Sequence, residues 1–131
     1  MLTVSTDSPG NLLAAIKSAI NEGRVTTWSY DTDGDFTQTP AQWSEKAWFR
    51  PTLMNDALLF GIVGQQDKPL AAEYYAVYHG RFIEMLATHF DAFFATASAS
   101  ATPQPPDIVK TKAKLPGPGE ALHGDVARRS V

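Results

Sequence analysis

Apolar and polar positions alternate from Met1 to Thr6: Leu2 and Val4 fall on one side, Thr3 and Ser5 on the other. A period of two predicts a short strand with one buried face. The period then changes. Leu12, Leu13, Ile16, Ala19 and Ile20 recur at helical spacing, preceded by Ser8-Pro9 and followed by Gly23. A capping hydroxyl, a proline in the first turn and a closing glycine predict a helix over 9–22. Val25 to Tyr30 is β-branched and aromatic, hence a strand. Asp33-Gly34 is a turn signal, and Phe36 to Gln38 is the return strand. Thr39-Pro40 with Gln42 resembles a capping box and predicts one helical turn over 40–45. Lys46 to Met54 and Ala57 to Val63 read as strands joined at Asn55-Asp56. The second, ALLFGIV, is apolar on both faces and belongs in the middle of a sheet. Pro51 lacks an amide and points to an edge or a bulge in the first.

Leu70 to Ala97 carries a helical stripe through Tyr75, Tyr78, Phe82, Leu86, His89 and Phe93. A helix of that length would run ~42 Å, while a domain of this size is ~32 Å across. The expected remedy is a break or kink, with Gly80 the weakest point. The alternative is a strand over Glu73 to His79. Together these elements predict an α+β two-layer sandwich: a mostly antiparallel sheet with an N-terminal and a long C-terminal helix on one face.

Composition sets the domain boundary. The fourteen aromatic residues all lie between Trp28 and Phe94. Residues 98–131 hold five prolines and only six large aliphatics, so the expectation is one domain over 1–97 and a disordered tail over 98–131. Residues 1–97 carry six Lys/Arg against eleven Asp/Glu, and the tail carries five against three. The acidic domain argues against nucleic acid as its partner, since phosphate neutralisation dominates that affinity. Only the tail, with Lys110, Lys112, Lys114, Arg128 and Arg129, suits such contact. The absence of cysteine excludes disulfides and thiolate metal sites. No apolar run reaches the ~20 residues of a membrane span, and the basic start of a signal peptide is missing. The expected location is the cytoplasm.

Three groups of residues are candidates for chemistry. Asp31, Asp33 and Asp35 put three carboxylates within five residues, a set that suits a hard divalent cation. Their spacing fails the calcium-loop pattern, because Gly34 stands fourth, Phe36 sixth and Gln42 twelfth. The segment also resembles the D-x-D-G opening of haloacid-dehalogenase phosphatases, but the preceding strand is polar and partner motifs are missing. The plain alternative is a solvated turn. His79, beside Gly80, and Glu84 are candidates for proton transfer. His89, near the middle of the apolar stripe, reads as a core histidine. No nucleophile elbow, metalloprotease helix, P-loop or dinucleotide fingerprint occurs. The third group is aromatic: Tyr30, Trp43 and Trp48, with Arg50 following Phe49. Trp48 and Phe49 must face opposite sides of their strand, so one of them is offered to a partner.

Trp28-Ser29-Tyr30-Asp31, Asp33-Gly34-Asp35-Phe36-Thr37, Gln42-Trp43, Lys46-Ala47-Trp48, Arg50-Pro51, Tyr78-His79-Gly80-Arg81-Phe82 and Glu84-Met85-Leu86 are similar to segments of a set of short hypothetical proteins from bacterial genomes. The resemblance covers about residues 1–97. It implies a bacterial source and brings no activity, cofactor or site residue with it. The residues favour a non-enzymatic binding or regulatory module that engages a protein partner or itself through Tyr30, Trp43, Trp48 and Arg50, without a cofactor. The alternative is a divalent-metal-dependent hydrolase or nuclease built on Asp31, Asp33 and Asp35 with His79 or Glu84.

Overall fold

The computed structural model describes residues 1–110. They form β1 (Leu2–Ser5), α1 (Pro9–Asn21), β2 (Trp28–Tyr30), β3 (Phe36–Gln38), β4 (Ala47–Leu53), β5 (Ala57–Gly64), α2 (Ala72–His89) and β6 (Thr96–Ala99), with a 3-10 turn at Asp91–Phe93. The strands make one antiparallel sheet in the order β2-β3-β4-β5-β1-β6. The fold is α+β, as the periodicity predicts. One cluster buries Leu2 and Val4 of β1, Phe49 of β4, and Leu58, Phe60 and Ile62 of β5. The same cluster holds Leu12 and Ile16 of α1 and Tyr78, Phe82 and Leu86 of α2. Both helices therefore cover one face of the sheet. Trp28 closes the cluster edge-on against Phe82, with ring centroids 4.8 Å apart.

The ends of α1 differ in how far the sequence foretells them. Gly23 takes φ 78°, and its amide returns to the Ile20 carbonyl, as a closing glycine does. The Ser8 hydroxyl makes no cap to the helix. Instead the Ser8 amide donates to the Thr6 hydroxyl at 3.1 Å. Thr39 likewise turns its hydroxyl to the Thr26 carbonyl. The expected helical turn at 40–45 is a run of tight turns, with Glu45 at φ 58°.

α2 settles the two readings of 70–97. It is one helix, unbroken at Gly80, which makes the alternative strand over Glu73 to His79 wrong. The length problem is solved at the other end. Phe90 is buried and terminates the helix, and the chain returns through the 3-10 turn into β6. The buried histidine is His79, while His89 is exposed at the last turn. Pro51 is neither at an edge strand nor at a bulge. β4 is flanked by β3 and β5, but β3 starts at Phe36, opposite Phe49. On the β3 side Pro51 lies beyond the last partner, so its missing amide leaves no ladder bond unmade.

The largest correction concerns the domain boundary. Thr96–Ala99 pairs with β1, and Pro106 to Ile108 run along β5 where β1 runs out, with Lys110 bridging to Pro69 just beyond. Residues 98–110 thus belong to the folded domain. The remainder of the expected tail, 111–131, lies outside the described residues, with Lys112, Lys114, Arg128 and Arg129 in it. Lys110 is exposed. Among the described residues no helix is long and apolar enough to cross a membrane.

Candidate functional site

Strand alternation separates Trp48 from Phe49. Phe49 is fully buried under the helices, and Trp48 stands half-buried on the opposite face. Register then builds a row across that outer face. Trp48 pairs with Val63, and Val63 bridges in parallel to Ile108. Partners in register project to the same side, so Trp48, Val63 and Ile108 line up. Ile108 is 55% exposed. Trp48 also borders a shallow open groove with Gly64, Gln65, Gln66, Asp67 and Lys68. Trp48 thus lies on the outer face, and its neighbour there, Ile108, is a residue that nothing in the sequence places beside it.

The other members of the aromatic group lie elsewhere. Trp43 is buried, edge-on to Tyr74 and under the Arg81 guanidinium, 5.4 Å from its ring centroid. Tyr30 packs on Phe36, with the Lys17 ammonium 5.4 Å from its ring centroid and its hydroxyl donating to Asn21. Neither joins the Trp48 row. Arg50 projects on the Trp48 side but is already engaged. Its Nε and Nη2 donate to the two oxygens of the buried Asp35 at 3.1 and 2.8 Å. That fork is the strong geometry for a carboxylate, and hydrogen bonding to Asp35 keeps the guanidinium firmly charged.

The acidic turn gathers as its spacing suggests. Asp31, Asp33 and Asp35 each bring one carboxylate oxygen within 4.8 Å of the others. The turn has internal uses for two of them. Asp31 Oδ1 accepts the amides of Asp33 and Asp35, each at 3.0 Å. Asp35 holds Arg50, which supplies the positive charge that the cluster needs. The proton-transfer candidates are not brought into this group. Glu84 is on the exposed side of α2. His79 is buried, with Nδ1 on the Tyr75 carbonyl at 2.7 Å and Nε2 at 3.2 Å from the Met1 ammonium. Burial lowers its pKa to about 4, which leaves the ring neutral.

Sequence reasoning missed a second polar cluster at the start of β1. The Met1 ammonium donates to Tyr75 Oη at 2.8 Å, Ser100 Oγ at 2.9 Å and Asp107 Oδ2 at 2.7 Å. The Asp107 side chain is 1% exposed. Its Oδ1 accepts the Ile62 amide at 2.8 Å, and Oδ2 also accepts the Gln104 amide at 2.8 Å. Burial pushes the Tyr75 hydroxyl up to about 12 and lowers the ammonium, which Asp107 partly restores. These groups pin the 100–110 segment to the sheet. The one signal in the sequence is an aspartate followed by two β-branched aliphatics, Asp107-Ile108-Val109, in a proline-rich stretch.

Among family models, curated proteins and solved structures, the chain has no match.

Proposed function

We propose that this protein is a small non-enzymatic binding module that docks a protein partner on the open face of its sheet. The observation that carries the reading is the row Trp48–Val63–Ile108, aligned by register on the face away from both helices. An exposed aliphatic beside an accessible tryptophan is the composition of an interface centre, where tryptophan contributes more than its area. The polar loop Gln65–Lys68 forms one rim of it. The buried His79 and the Arg50-bound acidic turn favour this over metal-dependent hydrolysis. The test is affinity capture by the full chain against Trp48→Ser and a helix-face control, Ala87→Ser. Ala87 is exposed on α2. A species held by wild type and the control, and reduced at least tenfold by Trp48→Ser at unchanged circular dichroism, supports the reading. Equal capture by all three refutes it. Arg50→Ala is a poor probe, because it strands a buried carboxylate and disturbs the fold.

A further inference from the structure

The segment that completes the sheet beside β5 is held differently from every other strand. β1 pairs with β5 only as far as Leu2 opposite Phe60. Beyond that point Ile108 bridges in parallel to Val63 of β5, and Lys110 bridges in parallel to Pro69 past the end of the strand. Two ladder bonds join the segment to β5, Ile108 N to Ile62 O at 2.8 Å and Gly64 N to Ile108 O at 2.9 Å, and past the end of the strand Leu70 N donates to Lys110 O at 3.2 Å. The side chains that seat the segment are few and chemically specific. Asp107 fits between the Ile62 amide and the Met1 ammonium. Val109 packs beside Gly64 and Leu70. Pro106 lies over Gly61, whose lack of a side chain makes room for it. Ile108 points outward and is mostly exposed. The leader into this segment is exposed at Pro103, Gln104 and Pro105, and prolines add no ladder donors.

We propose that this channel along Gly61–Gly64 is a strand-addition site for an extended peptide, and that residues 106–110 are its built-in occupant. The ligand class follows from the seat: an aspartate to meet the Ile62 amide and the ammonium, then an outward residue, then a β-branched aliphatic for the Gly64–Leu70 position. Main-chain bonds supply affinity and the alternate side chains supply selectivity, as in other strand additions. Few ladder bonds and an exposed leader place the segment among the parts of a fold that open locally at low cost. A free peptide must compete with an occupant tethered at millimolar effective concentration, so weakening the occupant exposes the site. The site does not include Trp48; its occupant carries Ile108 of the docking row, and the peptide titration below reads strand exchange without any docking partner.

The test uses the full chain and a fluorescent peptide copying Pro103–Lys110. Anisotropy titration of Asp107→Ala should give at least tenfold tighter peptide binding than wild type. A peptide with alanine at the aspartate position should bind that variant at least tenfold more weakly. No binding to Asp107→Ala, or equal binding of the two peptides, overturns the proposal. If Asp107→Ala does not fold, hydrogen exchange of the wild type decides. The Gly64 and Leu70 amides should exchange at least a hundredfold faster than the β4–β5 ladder, and equal protection overturns the proposal.

Discussion

Replacing Gly61 by alanine isolates the contact between β5 and the 106–110 segment. A Cβ at Gly61 would lie 2.8 Å from the Pro106 carbonyl oxygen and 3.0 Å from its carbon. These are backbone atoms, so no side-chain rotation relieves the overlap. Gly61 has no positive φ, and alanine there would otherwise gain ~0.4–1 kcal/mol by restricting the unfolded chain. Lifting the segment forfeits its three backbone bonds, with Ile62, Gly64 and Leu70, and the Asp107 contacts, at ~0.5–1.5 kcal/mol net for each bond. For the three backbone bonds alone the balance is a loss of ~0.5–4 kcal/mol. Gly80→Ala is the paired control. Gly80 lies inside α2 with nothing among the described residues within 4 Å of its added Cβ, and alanine should stabilise by up to ~1 kcal/mol. Urea unfolding followed by circular dichroism reads both. The two substitutions must move the midpoint in opposite directions. A Gly61→Ala protein as stable as wild type would show that the segment is not seated on β5.

Two further outcomes follow from buried polar groups. His79 has its pKa lowered to about 4 by burial, against ~6.5 in the unfolded chain. The unfolded state therefore binds more protons between those values. The stability of the neutral ring is full above pH 6.5 and is lost as pH falls toward 4, by about 3 kcal/mol. The Met1 ammonium, Asp107 and Tyr75 face the same ring. Urea midpoints at pH 7 and 4.5 should fall less in His79→Gln than in wild type, and identical falls would contradict the assignment. Gln38 is buried, and its Nε2 has no hydrogen-bond partner among the described residues. Since such a group costs ~1–3 kcal/mol, Gln38→Met should be neutral or stabilising by up to ~1 kcal/mol. A loss above ~2 kcal/mol would show that the amide is satisfied.

The parts of this fold that were legible in the sequence are those whose side chains carry the pattern. β5 reads as central because both its faces are apolar, and α1 because its stripe has a clear stop at Gly23. β6 and the 106–110 segment were not legible, for a physical reason. Thr96–Ala99 contributes small side chains, and it is held by backbone bonds to β1, which hydropathy does not register. The end of α2 was hidden similarly. Nothing in the residues after His89 breaks a helix; burial of Phe90 in the core and the pull of β6 onto β1 end it. His79 and His89 both lie near the apolar stripe of 70–97, and helical spacing alone does not separate them. The Trp48 half of the outer row came from strand alternation alone. Its Ile108 end required knowing that the chain returns alongside β5.

The most direct measurement places a photo-crosslinking phenylalanine analogue at position 108 in the full chain, with the same residue at position 87 as control. The docking account predicts a partner adduct from position 108 that Trp48→Ser abolishes, and none from position 87. An adduct from position 87 with none from position 108 would move the interface to the helical face and contradict the account.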